Sequence, residues 1–203
     1  MCEDRDIIVF DLPEISLRWT PFMQHAHAPP LQTVETVSSI IKDAHNGHLG
    51  AHCVAHSMGC VIIQWLLRLG GPDIVTSLTF VDPVCFLLIC PNVAANFCYR
   101  WPKTFLDLLV SYFVAREVGV NNSLHRHFQW KINNLDPRLL PVNSAVILSE
   151  LDAFVPSELV RAHLKVERPD IKVAMLPRHF HSQFSVVPES FKLVAKMSRD
   201  VDK

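Results

Sequence analysis

The sequence has no excess of basic residues: 19 Lys and Arg stand against 20 Asp and Glu, a formal charge of −1. A chain so balanced lacks the electrostatic footprint that binding to a phosphate backbone requires, which argues against nucleic acid as a partner. Paired cysteines are missing too. Cys2, Cys53, Cys60, Cys85, Cys90 and Cys98 form no CxxC, so neither a zinc ribbon nor a thioredoxin-type site is encoded, and their apolar neighbours suggest mostly buried free thiols. No basic-then-apolar leader is seen, since Met1-Cys2-Glu3-Asp4-Arg5-Asp6 is acidic. Nor does any apolar run reach the roughly 20 residues of a spanning helix. Pro83 to Tyr99 carries no charge, but Pro83, Pro91, Asn92 and Asn96 interrupt it. That stretch reads first as a greasy surface or cap element and only second as contact with a membrane surface. A cytoplasmic location is favoured over a membrane-associated one.

What is present is a large apolar inventory. With 203 residues, 49% of them hydrophobic and 19% charged, the chain can fill one substantial core, and one domain is expected over residues 1–203. Ile7 to Phe10 is a short β-branched and aromatic run closed by Asp11-Leu12-Pro13, the pattern of a buried strand. Val34, Val37, Ile40, Ile41 and Ala44 then share one helical face. His52 to Ala55 reads as a second strand, and Val61, Ile62, Trp65, Leu66 and Leu69 as a helix stopped at Gly70-Gly71-Pro72. Further strands are expected at Ser77 to Val81, Ala145 to Ser149 and Lys172 to Leu176. A helix capped by Ser157 runs to about Arg168, and a terminal one covers Glu189 to about Asp200. Apolar strands alternating with helices define an α/β fold with a mainly parallel sheet covered on both faces. Residues 86–140 break the rhythm with aromatics and the helix-like stretch Thr104 to Val118. They read as a cap-like insertion above a core of 1–85 and 141–203.

At the junction of the second strand and its helix stands Ala55-His56-Ser57-Met58-Gly59, the H-S-x-G form of a nucleophile elbow, in which a strained turn lifts the serine hydroxyl above the strand ends. Ala55 and Gly59 are small because strand and helix crowd together there. A serine hydroxyl needs a histidine base, and the base needs an acid to hold its tautomer. Glu150-Leu151-Asp152-Ala153-Phe154-Val155-Pro156 follows the fourth strand and Pro177-Arg178-His179-Phe180-His181 the fifth, so both groups lie at carboxyl ends of strands, where open α/β sheets place their sites.

These elements, in this order, resemble the α/β-hydrolase superfamily over nearly the whole chain from Ile7 onward. The resemblance implies Ser57 as nucleophile, Asp152 as acid and His181 as base, with the Met58 N–H as an oxyanion donor and no cofactor. Glu150 and Asp82 compete with Asp152, and His179 competes with His181. Asp11 to Arg18 and His125 to Trp130 look like a less characterised eukaryotic branch of lipase-like members. The pairs His25/His27, His125/His127 and His179/His181 have a spacing that can bind metal, but no accompanying carboxylate or cysteine pattern supports it.

Glycine is scarce, and none precedes Ile7. The glycine-bearing loop that supplies the family's second oxyanion donor therefore looks missing, as do the first strands of the family's sheet. The expectation is an N-terminally shortened serine hydrolase of carboxylic ester or related acyl bonds in apolar or lipid-like small molecules. The competing expectation is a non-catalytic, hydrolase-like interaction module.

Overall fold

A computed structural model of the chain describes residues 7–11, 29–44, 50–71 and 73–202. Four parallel strands form one sheet in sequential order: β1 (Ala51–His56), β2 (Val75–Val81), β3 (Ser144–Ser149) and β4 (Lys172–Leu176). β3 is buried at every position, as a central parallel strand with both faces covered must be. Its alternation divides the core. Val146 and Leu148 join the larger cluster, which also holds residues of α1 (Pro30–Ala44), α2 (Gly59–Leu69) and α4 (Ser157–Glu167). Ile147 points to the other face, where Val81 and Leu176 meet Val194 of the terminal helix α5 (Pro188–Val201). The four strands and the helices α2, α4 and α5 lie within two residues of their expected bounds, because each is specified by its own apolar spacing, while α1 begins at Pro30, four residues before the first residue of its expected apolar stripe.

Four expectations need correction. Ile7 to Phe10 forms no strand: Ile7 is 86% and Val9 85% exposed. β-propensity needs a ladder partner to act on, and among the described residues β1 pairs only with β2 and has no strand on its other side. Ser157 does not cap its helix; its hydroxyl donates to the Ser149 carbonyl at 2.7 Å and ties the start of α4 to the end of β3. The cysteines are free, but of the described ones only Cys60 and Cys85 are buried, while Cys53, Cys90 and Cys98 are partly exposed. The stretch Thr104 to Val118 is not one helix. α3 (Phe105–Val110), started by a reciprocal capping box between Thr104 and Asp107, gives way to a wider π turn at Ser111–Ala115 before the chain turns again at Val118–Asn122.

Between β2 and β3 the chain leaves the sheet, and its two stems are stitched together. Leu135 N–H donates to the Cys85 carbonyl and Leu88 N–H to Asn134 Oδ1, both at 2.8 Å. The returning stem is gripped by α2, where Trp65 Nε1 donates to Asn133 Oδ1 at 2.7 Å in a buried contact. Losing one partner of such a bond costs about 1–3 kcal/mol, so these contacts hold the excursion above the strand ends.

Candidate active site

The elbow follows β1 directly. Ser57 has φ 52°, a left-handed conformation that costs a non-glycine residue about 1–3 kcal/mol and is held because its N–H donates to the Val81 carbonyl at 3.0 Å. A Cβ added to Gly59 would lie 3.8 Å from the Ala55 Cβ, so the two small residues face each other and a long side chain at either would strike the other. The Met58 N–H, first donor after the serine, has no hydrogen-bond partner among the described residues.

Two loops converge on this turn. Ser57 Oγ lies 2.8 Å from His181 Nε2, and His181 Nδ1 lies 2.6 Å from Asp152 Oδ2. With the proton on Nδ1, the imidazole donates to the carboxylate and accepts from the serine. The other oxygen of Asp152 accepts the N–H groups of Phe154 and Val155 at 2.8 and 2.9 Å, which locks the carboxylate in place. The competing residues are engaged elsewhere. Glu150 accepts the Arg178 N–H, and His179 bridges the Pro177 carbonyl and the Ser190 hydroxyl of α5.

Two further side chains hold the histidine loop, and the sequence had flagged them only as a rival acid and as part of the elbow. Asp82, fully buried at the end of β2, accepts Ser149 N–H and Oγ–H and, at 3.0 Å, the N–H of Ser182. Burial raises its pKa, opposed by the Ser182 N–H, and the nearby Asp152 charge adds to the rise. His56 Nε2 lies 3.0 Å from Ser182 Oγ, and its ring sits 5.2 Å from that of His181. Burial pushes the His56 pKa down to about 4, and the neighbouring His181 adds to the effect. Ser182 is itself left-handed, with φ 67°, so both groups fasten a strained residue next to His181. Its position beside a histidine was the only signal available from sequence.

Asp82, Asp152 and His181 bring ligand-type atoms within 4.8 Å of one another, but those carboxylates are already engaged by N–H and O–H donors. His125 packs against Tyr99, and His25/His27 lies outside the described residues. Cys60, three residues after Ser57, is buried and its pKa is pushed up, which makes it a poor nucleophile. A cavity of about 560 Å³ adjoins the site, lined on one side by Leu151, Asp152, Phe154 and His181 and on the other by Phe97 and residues of the excursion. Phe97, Phe154 and His181 make successive edge-to-face contacts at 5.3 and 5.2 Å, so the wall next to the imidazole is aromatic.

A parallel sheet whose strand ends carry a serine elbow and two loops reaching back to it defines the α/β-hydrolase fold, and the chain has that fold. Solved structures share it at low sequence identity. A thermophilic esterase from Thermogutta terrifontis is similar with a TM-score of 0.57 at 14% identity, over 88% of this chain and 75% of its own. A monoacylglycerol lipase from Paleococcus ferrophilus gives 0.53 at 12%, over 88% and 77%. A meta-cleavage product hydrolase variant gives 0.58 at 16%, over 87% and 73%. No family model matches the sequence, and no curated protein sequence matches it.

Proposed function

We propose that the protein is a serine hydrolase acting on carboxylic ester or related acyl bonds of apolar or lipid-like small molecules, built as a core of residues 1–85 and 141–203 with a cap at 86–140. The observation that carries this reading is the continuous chain Ser57, His181, Asp152, with contacts of 2.8 and 2.6 Å. Ser57 Oγ attacks the acyl carbon while its proton passes to His181 Nε2, and the carbonyl π electrons move onto oxygen. The Met58 N–H donates to that oxyanion. Collapse expels the alcohol, which takes the proton from His181, and water then cleaves the acyl-serine by the same route in reverse. Asp152 stabilises the imidazolium without taking its proton. His56, neutral above about pH 4, adds no competing positive charge beside it. The aromatic wall of the cavity favours an apolar acyl or alcohol group.

The test is covalent labelling. A fluorophosphonate probe should modify wild-type protein at Ser57, Ser57→Ala should remove the label, and turnover of a short p-nitrophenyl ester should vanish with it. A folded wild-type chain that neither labels nor turns over ester would refute the reading and favour a hydrolase-like interaction module instead.

A further inference from the structure

The loop that carries His181 turns at two left-handed corners, Arg178 with φ 55° and Ser182 with φ 67°. Neither is a glycine, so this conformation is costly at both and persists only where surrounding contacts impose it. The second corner is held by Asp82, whose carboxylate accepts the Ser182 N–H. The first has a matching partner. Glu150 Oε2, directly after β3, accepts the Arg178 N–H at 2.7 Å.

The Arg178 corner arises where the ladder between β3 and β4 is interrupted. Ser149 pairs with Leu176, and just past them the Glu150 N–H donates to the Leu176 carbonyl at 3.0 Å. The next bond runs from the Leu151 N–H to the His179 carbonyl at 2.8 Å, so Pro177 and Arg178 are looped out opposite two consecutive donors. Pro177 has no N–H to donate, and the Arg178 N–H meets no backbone acceptor among the described residues; the Glu150 side chain supplies one. This bulge sets the phase of the two loops. Leu151 immediately precedes Asp152 and His179 lies two residues before His181, so the bond that closes the bulge also joins the acid loop to the base loop.

We infer that Glu150 is a positioning residue: by holding Arg178 left-handed, its carboxylate keeps the histidine loop in the phase that brings His181 Nδ1 against Asp152 and Nε2 against Ser57. Glu150 and Asp82 thus fix the two corners of the loop from the ends of neighbouring strands, β3 and β2. Glu150 is exposed whereas Asp82 is buried, so water can replace part of what Glu150 supplies and its removal costs less. The effect on turnover rests on the acyl-hydrolase reading, whereas the effect on the His181 ring does not, and the two fail separately.

The experiment compares wild type with Glu150→Ala, with Glu150→Gln, and with Glu150→Ala combined with Arg178→Gly. Turnover of a short p-nitrophenyl ester gives kcat and KM, and long-range proton–nitrogen NMR of the imidazole rings gives the tautomer of His181, whose signals are assigned by their absence from His181→Ala. In wild type the His181 proton should sit on Nδ1, where Asp152 accepts it. Glu150→Ala should lower kcat about tenfold at unchanged KM and turn the ring into a mixture of tautomers. Glu150→Gln, whose amide oxygen still accepts the Arg178 N–H, should behave as wild type does. Adding Arg178→Gly to Glu150→Ala should restore most of the kcat, because glycine takes a left-handed corner without a clamp. Both side chains are exposed, so circular dichroism should stay at wild-type level in every variant. Glu150→Ala that keeps both kcat and the tautomer overturns the proposal. So does Glu150→Gln that falls as far as Glu150→Ala, which would assign the effect to charge, and so does a double variant no better than Glu150→Ala, since the corner would then not be the route. Wild type without ester turnover refutes the hydrolase reading alone, and the tautomer then decides the role of Glu150.

Discussion

Replacing His56 with Gln should make the protein less sensitive to acid. The unfolded ring binds a proton below about pH 6.5, but in the folded chain burial and the nearby His181 delay protonation to about pH 4. Between those values the unfolded state holds more protons, so stability rises with pH across the window and falls as the solution is acidified from 6.5 towards 4. A shift of that size is worth about 3 kcal/mol at the bottom of the window. For a domain of this size that is about 6–12 °C in melting temperature. Gln stays neutral at every pH and can still meet the Ser182 hydroxyl, so the variant keeps a hydrogen bond but has no proton to gain. Urea unfolding followed by circular dichroism at several pH values between 7 and 4 measures the effect. The variant starts below wild type at pH 7, because the ring contact with His181 is lost, and the gap closes or reverses by about 3 kcal/mol by pH 4. The acid response of Asp82, whose raised pKa acts in the opposite sense, is common to both proteins and cancels in the difference. Two curves that stay parallel throughout would show that His56 titrates normally and is not held neutral beside His181.

The histidine pair separates by substitution: His181→Ala should reduce ester turnover by about 10³-fold or more. His179→Ala should keep most of the turnover and lose about 1 kcal/mol of stability through its contacts with Pro177 and Ser190; the reverse pattern in steady-state kinetics would make His179 the base. Asp82→Asn leaves the Ser182 N–H facing a group that only partly accepts it, so kcat should fall roughly 10²-fold through displacement of the histidine loop while KM holds. An unchanged kcat in a folded variant would show that Asp82 does not position His181.

The sequence alone determined most elements of the sheet and the elbow, and the reason is range. A strand such as Lys172–Leu176 or a helix such as Gly59–Leu69 is written in the spacing of its own apolar residues, and Ala55-His56-Ser57-Met58-Gly59 compresses a turn into five positions. Tertiary structure decided everything that depends on a partner distant in the chain. Glu150, Asp152 and Asp82 were equally acidic on paper, yet only Asp152 reaches the His181 ring, because Glu150 is drawn to the Arg178 N–H and Asp82 to Ser149 and Ser182. The grip of Asp82 and His56 on Ser182 spans 100 and 126 residues, far beyond any local pattern. Ile7 to Phe10 shows the limit from the other side: its composition suits a strand, but a strand exists only where another lies beside it to complete its hydrogen bonds.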